Sequence, residues 1–171
     1  MPDELAELTA RVRHLEDLES IRTTLFDYCR LLDSGDLEGL GNVFTDDATV
    51  ELEGLAPHFD GVYEGRAAII DDLYQRTDGG EAEGASLRFA TGHLSTNMQI
   101  DLKGDEATTL AYFFEIVGDG LVLVGTYQHR CRRDADRWRF AFLRIVVRYR
   151  ARLAATEVDG QSLQAILAKP V

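Results

Sequence analysis

A carboxylate that meets an imidazole away from water fixes the ring tautomer and makes it a general base. Asp33 and His93 are an acid and an imidazole that each stand where the local pattern does not expect them. Asp33 continues the ladder Phe26, Cys29, so helical spacing turns it toward the packed side. It also lies at the helix's negative end, where a carboxylate is disfavoured. An acid that points inward at the wrong pole calls for a partner. The plainer alternative is a solvated aspartate just ahead of the Ser34-Gly35 turn. His93 sits mid-strand in a polar set with Ser95, Asn97 and Gln99, across from the apolar set Leu94, Met98, Ile100 and Leu102. If the polar set lines an interior, His93, Ser95 and Asn97 project into one cavity, unless a bulge shifts the phase. A lone strand histidine equally suits the surface or a hydrogen-bonded core position.

Other polar groups could join such a site. Trp138, Phe140 and Phe142 share a parity with Arg144, Val146 and Arg148, which reads as a buried floor rising to a charged rim. Glu115 shares its face with Phe113 and Val117. Each of these charges is also suited to a structural ion pair. No His, Cys and carboxylate group has the spacing of metal ligands. No phosphate-cradling glycine motif or dinucleotide fingerprint is present, so metal-free and cofactor-free chemistry is expected.

The elements that must position these groups are legible in outline. Leu5, Leu8, Val12, Leu15 and Leu18 recur at three- and four-residue steps and continue through Ile21, Leu25, Tyr28 and Leu32. This predicts one long helix or two end-to-end helices with a single apolar stripe, stopping at Gly35. A short helix is expected over 37–44, a strand over 48–53, a loop over 54–61 and a short strand over 62–64. A helix then opens at Gly65-Arg66 with Ile69, Ile70, Leu73 and Tyr74 on one side. The stretch 77–85, rich in glycine and glutamate, reads as a mobile loop. Four long strands follow, at 86–102, 107–117, 121–133 and 138–151, separated by hairpin chemistry. Helices followed by an antiparallel meander give an α+β domain: a curved sheet wrapped around the N-terminal helices, cone-shaped with a pocket at its mouth. The whole of 1–171 reads as a single domain with its core over about 15–150. The tail over 151–171, with Leu163, Ile166 and Leu167, is expected to form a lid or an oligomer contact.

Composition narrows the function classes. The 171 residues are 45% hydrophobic, enough for one core without staples, and carry a net charge of −12. A duplex nucleic-acid binder would be expected to carry a basic face, and the acidic net charge argues against that role. No apolar run is long enough to span a bilayer, and the acidic, amphipathic start lacks the pattern of a secretion signal. Cys29 and Cys131 read as reduced, buried thiols, so a cytoplasmic location is expected. Nine of the 18 basic residues fall between Arg130 and Arg152, a strand face expected to pair with the acidic remainder.

The run IRTTLFDYCRLLDSGDLEGLGNVFTDDATVEL, the stretch from Gly61 to Ile69, HLSTNMQI at His93–Ile100 and GTYQHRCRRDADRWRF at Gly125–Phe140 resemble the SnoaL-like branch of the nuclear-transport-factor-2-like superfamily. The likeness is strongest to its scytalone dehydratase, bile-acid 7α-dehydratase and hexachlorocyclohexane dehydrochlorinase types. It implies a cone of helices against a strongly curved mixed, mostly antiparallel sheet, with one apolar cavity. It also implies a catalytic pair at His93 and Asp33, a cavity tyrosine at Tyr28 and a last-strand cavity arginine at Arg144 or a neighbour. No histidine matches the second cavity histidine of scytalone dehydratase, which leaves Glu115 or Tyr112 for the leaving group.

The expected chemistry is dehydration, or a proton-shift isomerisation, of a cyclic polyketide-, steroid- or aromatic-like substrate. His93 would be the base, Asp33 its orienter, and Tyr28, Arg144 or Asn97 the receiver of negative charge. Asn97, Glu115, Tyr112, Phe142, Tyr127 and Arg148 are the expected substrate contacts. Two other classes remain open. One is a non-catalytic subunit like the ring-hydroxylating dioxygenase β subunit, and the other is an apolar ligand carrier. The exposed sheet face and the resemblance both point to a homodimer or homotrimer.

Overall fold

The fold is described from a computed structural model that covers residues 2–75, 90–117, 121–152, 157–158 and 161–162. Helix α1 spans Pro2–Ser34 and α2 spans Leu37–Gly41. Strand β1 covers Phe44–Glu53 and β2 covers Gly61–Glu64. Helix α3, Arg66–Ala68, runs on into a π-helical turn at Ile69–Tyr74. The long strands are β3 (Ala90–Lys103), β4 (Glu106–Val117), β5 (Leu121–Asp134) and β6 (Arg137–Arg152). Two short strands, β7 (Glu157–Val158) and β8 (Gln161–Ser162), pair with each other. The expected loop over 77–85 and the tail residues Leu163, Ile166 and Leu167 lie outside the described residues.

The six-stranded sheet has the order β2-β1-β6-β5-β4-β3. Its β1–β6 pair is parallel and its other pairs are antiparallel, as short hairpin turns between successive strands require. Helix α1 lies across β3 and β6. Ile21, Leu25, Tyr28 and Leu32 form its buried side. Tyr28 is the hub of the core, with Phe44, Phe140 and Tyr127 rings edge-on at 5.7–6.2 Å.

The single stripe expected along α1 is in fact two. Leu5, Leu8, Val12 and Leu15 are exposed, and only the C-terminal half meets the sheet. The changeover is at Asp17, which accepts from Trp138 Nε1 at 3.1 Å and pairs with Arg133 at 2.6 Å. The short helix α2 also ends earlier than expected. Asn42 N bonds back to Gly39 O and the chain turns into β1, which begins at Phe44.

Bulges decide which side chains face the core. In β3 the pairing with β4 slips between Thr96 and Gln99, where Asn97 has φ +54°. Before the slip His93 and Ser95 turn toward α1; beyond it Met98, Ile100 and Leu102 pack on the core. In β6 the slip falls at Ala141, between the Cys131–Phe140 and Arg130–Phe142 pairs. Trp138 and Phe140 are buried on one parity, and Leu143 and Ile145 on the other. One extra residue in a strand reverses the facing of everything after it.

A third slip is at Gly125, between the Val124–Tyr149 and Gly125–Val147 pairs. A Cβ added there would collide with the Val146 carbonyl and stand 2.6 Å from the Phe113 ring. Gly125→Ala is therefore expected to cost roughly 1–3 kcal/mol in urea unfolding. Gly61→Ala, with nothing within 4 Å of the new methyl, should stay within about 0.5 kcal/mol of the parent.

The clustered arginines act as ties. Arg132 grips Asp47 at 2.7 Å, Arg133 grips Asp17 and Asp105, and Arg139 bonds the Asn42 carbonyl. Arg150 donates to the Leu55 carbonyl. Among the described residues, no helix is long and apolar enough to cross a membrane.

Candidate active site

Asp33 reaches the site because α1 runs on to Ser34 before the chain turns. Gly35 takes φ +70°, and Gly35 N and Asp36 N bond back to the carbonyls of Leu32 and Leu31. The last turn thus carries Asp33 past the β3 edge. Its Oδ1 lies 2.6 Å from His93 Nδ1, and its Oδ2 accepts the His93 backbone N–H at 3.2 Å. Two bonds from one carboxylate set both the strand position and the ring orientation. The His93 side chain is only 4% exposed while that of Asp33 is 31% exposed, so the imidazole is inside and the carboxylate is at the rim.

The far ring nitrogen meets a second acid. His93 Nε2 stands 3.2 Å from Glu115 Oε1, directly across the β3–β4 pair. The contact lacks hydrogen-bond alignment, and Oε1 has no hydrogen-bond partner among the described residues. The Glu115 side chain is 5% exposed. Burial lifts its carboxyl above the usual carboxylate range; His93 opposes this and the Asp33 charge adds to it. Burial alone would lower the His93 imidazole. The Asp33 hydrogen bond, with the charges of Glu115 and Asp33, more than offsets it and holds His93 above its ordinary 6.5.

These two groups face a small, partly open cavity of about 30 Å3. Its wall is aliphatic, with Leu52, Leu55, Leu73, Leu123 and Ile145, and its polar lining is Tyr28, Tyr74, Tyr127, His93 and Glu115. Tyr28 and Tyr74 hydroxyls lie 2.8 Å apart. One proton holds that pair together, so the other hydroxyl hydrogen is free to donate. Both phenols are pushed up by burial. The π-turn is what brings Tyr74 inward, since Gln75 N bonds Ile70 O across the wider loop.

Several expected contacts lie elsewhere. The β6 bulge sends Arg144 to the outer face, where it pairs with Glu53 at 2.9 Å and Glu51 at 3.7 Å. Phe142 is also outside, beneath the Arg130 guanidinium at 4.5 Å. Arg148 is left unpaired at the slip opposite Gly125 and is exposed. Asn97 sits in the β3 bulge and is exposed. Tyr112 is 47% exposed, on the face of β4 opposite Glu115. Tyr127 does line the cavity. Tyr74 was not foreseen as a partner of Tyr28; its only signal was its place on the apolar side of a helix. The direct Glu115–His93 contact needed the β3–β4 register, which the sequence does not state.

The remaining polar groups are structural in geometry. Cys29 Sγ lies 3.3 Å from Ser95 Oγ, and burial pushes its thiol up to about 11. Cys131 is likewise a free, buried thiol. His129 bonds Thr109 Oγ1 at 2.6 Å, and burial lowers it to about 3. A wider open trough of about 460 Å3 on the outer face carries charges that already pair, Arg132 with Asp47 and Lys103 with Asp101. Among the described residues no group of His, Cys and acids could hold a metal ion.

The SnoaL-like domain signature matches residues 13–144. The chain belongs to this family. No curated protein matches it by sequence. A scytalone dehydratase-like protein from Novosphingobium aromaticivorans DSM 12444 superposes with a TM-score of 0.64 at 21% identity, over 84% of this chain and 91% of that one. The hexachlorocyclohexane dehydrochlorinase LinA-type3 from Novosphingobium barchaimii LL02 gives 0.66 at 16%, over 86% and 97%. An NTF2-like protein with a cystatin-like fold, from Novosphingobium aromaticivorans, gives 0.62 at 25%, over 95% of each chain. The SnoaL-like chain therefore has the NTF2-like, cystatin-like α+β fold.

The pH behaviour of the pair is a prediction. A raised His93 value means that its contribution to stability is full below about 6.5 and is lost as pH rises through the folded value. Glu115 acts in the same direction: full below 4.5, then lost as pH rises through its raised value. An NMR titration should find His93 above 6.5 in the parent and lower in Asp33→Asn, where burial is no longer offset by the carboxylate. An identical titration in the variant would dismiss the coupling.

Proposed function

We propose that this SnoaL-like protein is a small-molecule lyase or isomerase that works without a cofactor. The observation that carries the proposal is the 2.6 Å Asp33–His93 contact, which leaves Nε2 turned to a small, mostly apolar-walled cavity beside a second buried acid. Asp33 accepts from Nδ1–H and steadies the imidazolium, and Nε2 takes a proton from a substrate carbon next to a carbonyl. The developing enolate oxygen accepts from the free hydroxyl hydrogen of the Tyr28–Tyr74 pair.

In a dehydration, the carbanion's electron pair forms the new C=C bond as the C–O bond breaks. The hydroxyl leaves as water with the Glu115 proton. The imidazolium then returns its proton to the Glu115 carboxylate 3.2 Å away as the two side chains rotate into alignment, which resets both groups. If His93 instead returns its proton to another carbon, the outcome is isomerisation. The names of two structural relatives, a dehydratase and a dehydrochlorinase, belong to eliminating enzymes and favour the first course. The substrate is expected to be a cyclic β-hydroxyketone of polyketide, steroid or aromatic character. The space of about 30 Å3 holds one water, so a ring is admitted only as wall side chains such as Leu55 and Val147 swing outward.

The test is turnover of a panel of cyclic β-hydroxyketones and polyketide- and steroid-like compounds, with loss of water followed by mass. Dehydration or isomerisation of a panel member is the expected result. Tight binding with no turnover across the panel would replace the enzyme with a carrier.

A further inference from the structure

We propose that the N-terminal half of α1 docks against the same segment of a second copy as a short, parallel two-stranded coiled coil. The proposal is independent of the chemistry above. Leu5, Leu8, Val12 and Leu15 follow steps of three, four and three, the alternation of the two seam positions of a heptad repeat. All four are exposed, from 44% at Val12 to 67% at Leu5. Four aliphatic side chains in a row on one helix face are more than scattered surface apolar residues require.

The helix is presented so that a second copy can reach this seam. Asp17 falls on the opposite side of the helix from the seam, and there it grips Trp138 and Arg133 of its own domain. Each domain would hang on the outer side of its helix. Glu19 and Arg22, next along the same face, form an ion pair and end the apolar run. A free coil of two heptads would be marginal in water, because ordering the helix is costly. Here the segment continues a helix already held by the core, so that cost is largely met before docking.

Charge selects both the partner and its direction. Arg11 and Glu16 flank the seam, are exposed, and form no ion pair within the chain among the described residues. In a parallel pair, Arg11 of each copy faces Glu16 of the other, which makes two symmetric pairs. An antiparallel pair would set Arg11 against Arg11. Leucine at both positions of one kind (Leu8, Leu15) and a β-branched valine among the others favour two strands.

Sedimentation of the full chain is expected to give a dimer. Leu8→Asp with Val12→Asp should raise the dissociation constant more than about 100-fold and leave the circular dichroism of the domain intact. Arg11→Glu should weaken the dimer severalfold, and adding Glu16→Arg should restore it. Leu8→Cys should cross-link to itself under mild oxidation, as a parallel seam requires. A monomeric parent would overturn the proposal. So would a dimer that both the aspartate pair and Arg11→Glu leave unchanged, or one in which Leu8→Cys fails to cross-link.

Discussion

His93→Ala is expected to lower kcat/KM for an accepted substrate by roughly 10²–10⁴-fold, the range a positioned base supplies. The fold should survive the change. Asp33 keeps part of its hydration at the rim, and Glu115, already raised by burial, keeps its proton more easily once the imidazolium is gone. The truncation leaves a ring-sized hollow beside Asp33, so added imidazole should restore part of the rate. A melting curve close to the parent's would assign the loss to chemistry. Parent-like turnover would remove His93 from the mechanism.

Glu115→Gln should cost a similar factor, for a different reason. The amide fills the same space but carries no acidic proton for a departing hydroxyl. In the parent, His93 and Glu115 together must hold one proton for reaction, so the rate should fall on both sides of an optimum. Below it His93 is charged, and above it the pair is empty. The two limbs belong to the pair, because 3.2 Å couples the groups too tightly to title either limb to one residue. With the partner acid gone, Glu115→Gln should show a single acid limb, that of His93 alone, and lose the alkaline one. A variant that keeps the full rate and both limbs would leave Glu115 a packing residue only.

How much of this was legible depended on how far each feature is set by local spacing. Asp33 and His93 were visible because each breaks a local rule, an inward acid at a helix C-terminus and an imidazole in mid-strand. Their 2.6 Å meeting follows from the Gly35 turn and the crossing of α1 over β3. Parity was read correctly between bulges and lost across them. His93 lies between the two slips of β3 and Trp138 precedes those of β6, and both side chains face inward. Asn97 sits in the second β3 slip, Phe142 and Arg144 follow the slip at Ala141, and Arg148 is left unpaired opposite Gly125, so all four lie on the outside. A bulge adds one residue without a distinctive residue type, and the glycine that could have warned, Gly125, is on the neighbouring strand. Along α1 the hydrophobic steps were real, but periodicity does not say which faces the protein itself covers. Only the Asp17 anchor divides the core half from the exposed half.

The most direct test of the dyad is a double-mutant cycle on an accepted substrate, using His93→Ala, Asp33→Asn and the two combined. If Asp33 acts through the imidazole, each single change lowers kcat/KM, by roughly 10²-fold or more for His93→Ala. The double variant is then no slower than His93→Ala alone, within a factor of a few. Losses that simply multiply, or single variants that turn over like the parent, would contradict an Asp33-steered base.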